Sequence, residues 1–301
     1  MLIFGSIGLF VKKAEISSGM LALVRGTVGT LFLLLVNGVR ILGTSGKQAA
    51  ELKKEEYRSL DAIKKNGILL VISGATIGIN WICLFEAYRY TTIATATLCY
   101  YLAPVFVTLV SPVFLKEKLT PMKLGCIAAS LAGMVLVADL FGASGQSGSN
   151  AKGIMFGVIA AVLYAAVVIM NKYLKDIKAV DMTICQLGVA AVVLVPYVLL
   201  TEDVAAVRWD GQTIALLLFV GIVNTGIAYL LYFGSLAELS GQSAALFSYI
   251  DPVTAIVLSA VLLKEPMSAA QTVGAVLILG STLLSELAGN RKKIKVTANE
   301  G

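Results

Sequence analysis

Residues Tyr100–Thr120 read YYLAPVFVTLVSPVFLKEKLT, and residues Ser248–Ser268 read SYIDPVTAIVLSAVLLKEPMS. With Tyr101 laid on Tyr249, Pro104 falls on Pro252, Ser111 on Ser259 and Lys116-Glu117 on Lys264-Glu265. Eight of the seventeen positions from Tyr101 to Glu117 are identical. Each copy is an apolar run of about the 20 residues that a helix needs to cross a bilayer. One position departs: Ala103 in the first copy is Asp251 in the second. A greasy segment written twice, with a carboxylate in one copy alone, predicts a duplicated membrane scaffold holding a lopsided site.

The rest of the chain agrees with a bilayer as solvent. Of 301 residues 58% are hydrophobic and 14% charged, and the mean hydropathy is +0.87. A soluble domain has about a quarter of its residues charged, enough to cover its surface; this chain does not. The net charge of +6 is read as basic cytoplasmic loops rather than as a nucleic-acid footprint. Cys83, Cys99, Cys126 and Cys185 all lie in apolar stretches without a CxxC pair, so neither a disulfide framework nor a zinc site is expected. With no histidine, imidazole acid–base chemistry and His metal ligation are excluded. No metal and no cofactor are expected.

Apolar runs cover approximately 1–12, 19–41, 66–86, 92–115, 120–140, 152–172, 181–200, 212–235, 242–263 and 267–288. They predict an all-α integral membrane protein of ten transmembrane helices. Small residues at close spacing, Gly26 with Gly29 and Ala128, Ala129, Ala132 with Gly133, predict close helix contacts in lipid. The first run, up to Lys12-Lys13, is roughly 15 Å of helix against a ~30 Å core; the expectation is a chain that begins inside its first span. Counted by loop with the N-terminus inside, seventeen Lys and Arg fall on inner loops and six on outer ones. Both termini are therefore expected in the cytoplasm and the protein in the cell membrane, multi-pass. The mixed-charge segment 43–65, with Leu52, Leu60 and Ile63 on one helical face, is expected to be a short helix on the inner membrane surface.

The Gly/Ser-rich stretch Phe141–Asn150 reads as a linker between residues 1–140 and 151–288, five runs each, with a basic cytoplasmic tail at 289–301. An odd number of spans per half forces the second half to cross upside down. The fold expected is thus two inverted five-helix repeats, a construction of many secondary transporters.

The ten-span, five-plus-five layout resembles the EamA-type branch of the drug/metabolite transporter superfamily over nearly the whole chain. The likeness is carried by PVFVTLVSPVFLKEKLT and PVTAIVLSAVLLKEPMS, by FGSIGLFVKK (Phe4–Lys13), and by Arg25 early in the second span. Where members commonly have Trp in the first and sixth helices, this chain has Phe4 and Tyr164. The resemblance implies a central cavity lined mainly by helices one, three, four, six, eight and nine, and transport of small metabolites by alternating access. No GxxxxGK[ST] stretch occurs, so an intrinsic ATPase is not supported, nor is an enzyme.

An ionisable residue at mid-membrane is costly and is a functional hypothesis by default. Asp251 has two readings: a proton, cation or amine site, or a paired acid holding helices together. Tyr100, Tyr101 and Tyr249, with Trp81 and its repeat counterpart Tyr229, are expected to line the cavity beside Phe4 and Tyr164. Asn80 and Asn224 need partners in hydrocarbon and are expected to point inward; Gln186 and Asn171 are read as interhelical hydrogen bonds. Glu86 and Arg89, three residues apart, are placed at the outer rim, and Arg25 is expected to snorkel to the same interface. Glu117 and Glu265 are read as structural acids of the repeat, each followed by an N-cap, Thr120 or Ser268.

The expected partners are a small-molecule substrate, membrane lipid and protons as coupling ion, with no nucleic acid; a homodimer is left open. The leading function is secondary-active transport, export in particular, of small metabolites such as amino acids. Proton-coupled efflux of cationic drugs and flipping of a lipid-linked sugar are the alternatives.

Overall fold

The computed structural model describes residues 1–13, 16–116, 119–138, 149–204, 207–236 and 247–299, and among these there is no strand. The helices in chain order are α1 (Leu2–Gly5), α2 (Ile7–Lys13), α3 (Ser18–Gly43), α4 (Gly46–Lys65), α5 (Gly67–Tyr90), α6 (Ile93–Tyr100), α7 (Ala103–Phe114), α8 (Pro121–Val137), α9 (Ser149–Tyr173), α10 (Ala179–Thr201), α11 (Gly211–Phe219), α12 (Ala228–Leu236), α13 (Ile250–Leu262) and α14 (Ala269–Asn299). A π-helical turn, Val220–Ile227, joins α11 to α12.

Among the described residues, seven stretches are long and apolar enough to cross a membrane: Ser18–Gly43, Gly67–Tyr90, Ile93–Phe114, Ser149–Tyr173, Ala179–Thr201, Gly211–Tyr232 and Ala269–Leu287. Leu2–Lys12, Pro121–Val137 and Ile250–Leu262 are apolar but shorter. Large apolar side chains stand outward all along these helices, among them Leu35 (66% exposed), Ile68 (81%) and Leu200 (84%). In water such surfaces would aggregate; in hydrocarbon they are solvated. Threonine hydroxyls bond back to the carbonyl four residues earlier, as Thr30 does to Gly26 O (2.6 Å) and Thr254 to Ile250 O (2.6 Å), which keeps these donors from standing bare in lipid.

The helix ends are written in the sequence. Ser17, Thr92 and Thr120 cap α3, α6 and α8 through their side-chain oxygens. Asp210 caps α11, and the Thr213 N–H it accepts (2.7 Å) holds its carboxyl below the usual range. Ser268 and Gln271 exchange backbone-to-side-chain bonds of 2.9 and 3.1 Å, a reciprocal capping box at the start of α14. The repeated Lys-Glu pair marks a repeated turn: Lys116 and Lys264 both take a left-handed backbone, with φ of 55° and 53°. Positive φ is uncommon for a residue with a side chain, so its recurrence 148 positions apart is a structural echo of the sequence repeat. Glu117, and the expected linker up to Gly148, lie outside the described residues.

The described helices group into two compact units that interleave the chain. One holds residues 1–12, 83–165 and 234–301; the other holds 13–82 and 166–233. The first unit is cored by Leu98, Leu102, Val105, Ile127, Val137 and Ile278. Here α8 and α14 meet backbone to backbone: a methyl built on Gly133 would sit 2.7 Å from the Gly274 carbonyl oxygen, and one on Gly274 2.5 Å from that of Gly133. One turn away Ser130 and Ser281 share a hydrogen bond of 2.6 Å. Of the small residues expected at this contact, Gly133 is in it, whereas Ala128 and Ala132 face outward.

In the second unit α3 lies against α10 and the π turn. Gly26 faces Ala191 and Leu187, Gly29 faces Thr225, and Gly221 faces Val28. The mixed-charge segment forms α4, with a partner that sequence periodicity does not choose. Ser59 is 1% exposed and Leu60 53%. Ser59 donates to Asp181 (2.6 Å) and accepts from the Lys178 N–H, while the Lys178 ammonium reaches Glu56 (3.0 Å). A buried hydroxyl that is fully paired is stable where an apolar residue is expected. α4 is thus bolted to residues 176–181 of its own unit by polar contacts.

Candidate substrate and coupling site

The break between α6 and α7, and the start of α13, have one cause. Proline lacks the N–H that a helix donates four residues back. Pro104 withdraws the donor due to Tyr100 O, and α6 ends at Tyr100. Pro252 withdraws the donor due to Ser248 O. In the second corner that freed carbonyl has a new donor within reach: the Tyr101 hydroxyl is 3.2 Å from it and 3.0 Å from Asp251 Oδ2. Asp251 itself lies in the first turn of α13, where the helix dipole favours negative charge. Gly5 of α1 packs onto this turn; a methyl there would overlap the Asp251 carbonyl oxygen and come 2.8 Å from Thr254 Cβ. Phe4, its neighbour in α1, therefore belongs to the same unit beside α13.

Tyrosines form a row that meets the acid at Tyr101. Tyr101 and Tyr249 have ring centroids 6.3 Å apart, Tyr100 and Tyr101 6.5 Å, and Tyr100 and Tyr164 5.3 Å. Five of the residues singled out in the sequence (Tyr100, Tyr101, Tyr164, Tyr249 and Asp251) thus form one chain of direct contacts within one unit. The Asp251 carboxylate joins this row through the Tyr101 hydroxyl. The sequence reading does not single out Glu286. It lies on α14 one turn beyond Thr282, half-buried, within electrostatic reach of Tyr249. Its signal is the run of polar residues Ser281, Thr282, Ser285 and Glu286 that follows the apolar Val273–Gly280.

Arg25, Asn80, Trp81, Asn224 and Tyr229 lie in the second unit. Arg25 does not snorkel: it is 6% exposed, its Nε donates to Thr225 (3.0 Å), and its guanidinium carbon stands 4.2 Å over the Trp81 ring. A cation over an indole face is favourable once desolvated, and this draws the side chain into the bundle. Asn80 (2% exposed) and Asn224 (0%) are buried as expected; Tyr229 is half-buried. Asn224 and Thr225 lie in the π turn, a helix irregularity frequent at functional sites. Gln186 bridges Ser73 (2.8 Å) and Asn171 (2.6 Å), the interhelical role read for it.

Two acids act as remote caps. Glu265 accepts from the Ile93 N–H (2.9 Å) at the start of α6, from Ser259 (2.6 Å) and from Lys12. Glu202, unremarked in the sequence, accepts from the Gly19 and Met20 amides (both 3.0 Å) at the start of α3 and from Ser17. Glu86 and Arg89 pair at 3.5 Å on the surface of α5. A cleft of about 270 Å³ beside α4 is lined by Arg58, Asp61, Lys65, Tyr173, Lys175 and Asp176, none of them singled out in the sequence. The Asp61 carboxylate there holds the Lys65 ammonium above its ordinary range.

A family model described as the EamA-like transporter family matches residues 1–138 and again residues 151–287. The chain is 29% identical over 300 residues to the uncharacterized transporter YxxF of Bacillus subtilis (strain 168), covering 99% of this chain and 90% of that one. An uncharacterized transporter of Clostridium kluyveri is 25% identical over 304 residues, covering 97% and 95%. A solved crystal structure shares the fold with a TM-score of 0.62 at 20% identity, over 96% of this chain and 94% of its own. Matched twice in tandem, and built of membrane-length apolar helices, the chain belongs to the EamA-like transporter family.

Proposed function

We propose that the protein is a secondary-active transporter that exports small organic metabolites such as amino acids by alternating access, with Asp251 as its coupling or substrate-anchoring group. Ten crossings in two inverted repeats, with both termini in the cytoplasm, complete the reading. One observation carries it: Tyr101 holds Asp251 and the carbonyl freed by Pro252 together at the N-terminus of α13. An acid so placed takes up and releases a proton or an ammonium group without dismantling a helix, because the proline has already opened that turn.

The test is uptake of a radiolabelled mixture of the twenty amino acids into proteoliposomes, with and without a pH gradient. Asp251→Asn is expected to abolish gradient-driven uptake while the protein remains folded and monodisperse. The amide keeps size and hydrogen bonds but exchanges no proton. A variant that keeps full, pH-dependent uptake sinks the coupling role. The tyrosine row that meets this carboxylate also favours a second reading, efflux of organic cations; uptake of a quaternary ammonium dye in place of the amino acids selects it.

A further inference from the structure

We propose that Asp251, Ser248 and Tyr101 form a binding site for a sodium ion, an inference that rests on Asp251 being the coupling group and names the ion it couples. The Tyr101 oxygen lies 3.0 Å from Asp251 Oδ2 and 3.2 Å from the Ser248 carbonyl oxygen. A phenol has one proton to give, yet two acceptors converge on it. All three oxygens belong to one unit. The Ser248 carbonyl is the one that Pro252 deprives of its helical donor. Phe247 and Ser248 are helical and Tyr249 turns the chain, so this carbonyl stands at a helical C-terminus, where the dipole favours a cation. Carbonyls at interrupted helices are ligands by which secondary transporters hold sodium in the membrane. The chain is interrupted at two more places against this corner: α6 ends at Tyr100, and α1 gives way to α2 at Ser6. Gly5, just before that break, brings bare backbone to the acid, since a methyl there would lie 3.2 Å from Asp251 Oδ1.

The spacing selects the ligand. A hard cation bonded to oxygen at about 2.4 Å sets neighbouring octahedral ligands about 3.4 Å apart, close to the two separations observed. An ammonium bonded at about 2.9 Å needs tetrahedral acceptors about 4.7 Å apart, so it cannot take Tyr101 together with either partner. The larger potassium ion also needs a wider set. Charge selects the valence. One carboxylate matches one positive charge, and among the described residues no group of three carboxylate or thiolate side chains is placed to hold a divalent ion. For the ion to enter, the Tyr101 hydroxyl turns its proton outward and offers a lone pair; no covalent bond changes. A proton on the Asp251 carboxyl removes the charge that holds the ion. Proton and sodium therefore exchange at this site, and a pH gradient still drives uptake. The titratable groups on the elements packed most closely against α13 are the amino terminus ahead of α1, Cys99 and Tyr100 on α6 and Tyr101 at its end, with Tyr249 before α13 itself. None of them supplies a second carboxylate.

The test reads ion binding without any organic solute. Purified protein in lipid nanodiscs is titrated with radioactive sodium at mildly alkaline pH. Thermal melting is followed in parallel with sodium, lithium, potassium or choline chloride at one ionic strength. Sodium is expected to bind saturably and to raise the melting temperature, since a ligand held only by the folded state stabilises it; potassium and choline are expected to do neither. Asp251→Asn is expected to abolish both effects. Tyr101→Phe, which removes one oxygen, is expected to weaken sodium binding at least about tenfold. Absence of saturable sodium binding overturns the site, as does binding that survives undiminished in both variants. Should D251N fail to fold, Y101F decides between the two outcomes. Sodium binding that D251N abolishes, in a protein that takes up no amino acid, would support the ion site and remove the substrate reading. Uptake driven by pH that D251N abolishes, without sodium binding by the wild type, would keep Asp251 as the coupling group and overturn the sodium site.

Discussion

The corners at Tyr101 and Tyr249 are written as YLAPV and YIDPV, and their surroundings could hardly differ more. In the first, Ala103 is 2% exposed among Leu98, Leu102 and Val105; the proline serves only to end α6. In the second, the same proline frees a carbonyl that meets the first corner's own tyrosine, together with an acid in the first helical turn. Duplication supplies two equal bends, and a single carboxyl turns one of them into a polar site. The comparison teaches that proline placement makes the opening and the side chain at the preceding position decides what the opening does.

The comparison breaks outright if the two copies face the same side of the membrane. With the native cysteines removed, Lys47→Cys and Lys293→Cys are expected to label only from the cytoplasm and Ser147→Cys only from outside. Labelling of positions 47 and 147 from one side ends the inverted-repeat reading. Moving the acid to the other corner comes next in size. Ala103→Asp places a carboxyl in an apolar core with no donor prepared for it, and is expected to cost about 3 kcal/mol, read as lost monodisperse protein on size-exclusion chromatography. Wild-type behaviour would mean that the first corner is as polar as the second.

Tyr101→Phe keeps the ring and removes the donor to Asp251. Gradient-driven uptake is expected to fall about tenfold, the worth of one charge-assisted hydrogen bond, with thermal stability nearly unchanged. An unchanged rate would assign the Tyr101 contact to packing alone. The smallest effect belongs to the shared turn. Lys116→Gly and Lys264→Gly relieve a left-handed backbone and are each expected to stabilise by up to about 1 kcal/mol in thermal melts. A gain at one position alone would show that the two turns bear different loads.

Much of this is legible in the order of the residues. Apolar runs of membrane length announce helices because a backbone in hydrocarbon must bond within its own segment. The repeated phrase announces both its equal turns and its one unequal residue, and Asp251 stands out because charge in an apolar run is costly. Arg25 departs from its expected place because sequence reveals depth but not the neighbour, and Trp81 across the bundle outweighs the short reach to the interface. Glu286 escapes notice because near the end of a run a carboxylate reads as an interfacial residue. Only packing brings it within electrostatic reach of Tyr249.

By itself, then, the sequence determined the solvent, the helices, their caps and the repeat, since each follows from residue type and spacing along a single segment. Only the tertiary structure decided which donor Asp251 meets, where the guanidinium of Arg25 rests, and that Ser59 rather than Leu60 is the buried face of α4. Those outcomes depend on groups over a hundred residues distant, brought within 3 Å by helix packing. At that range the pairing of polar groups, which no local pattern encodes, controls the energy.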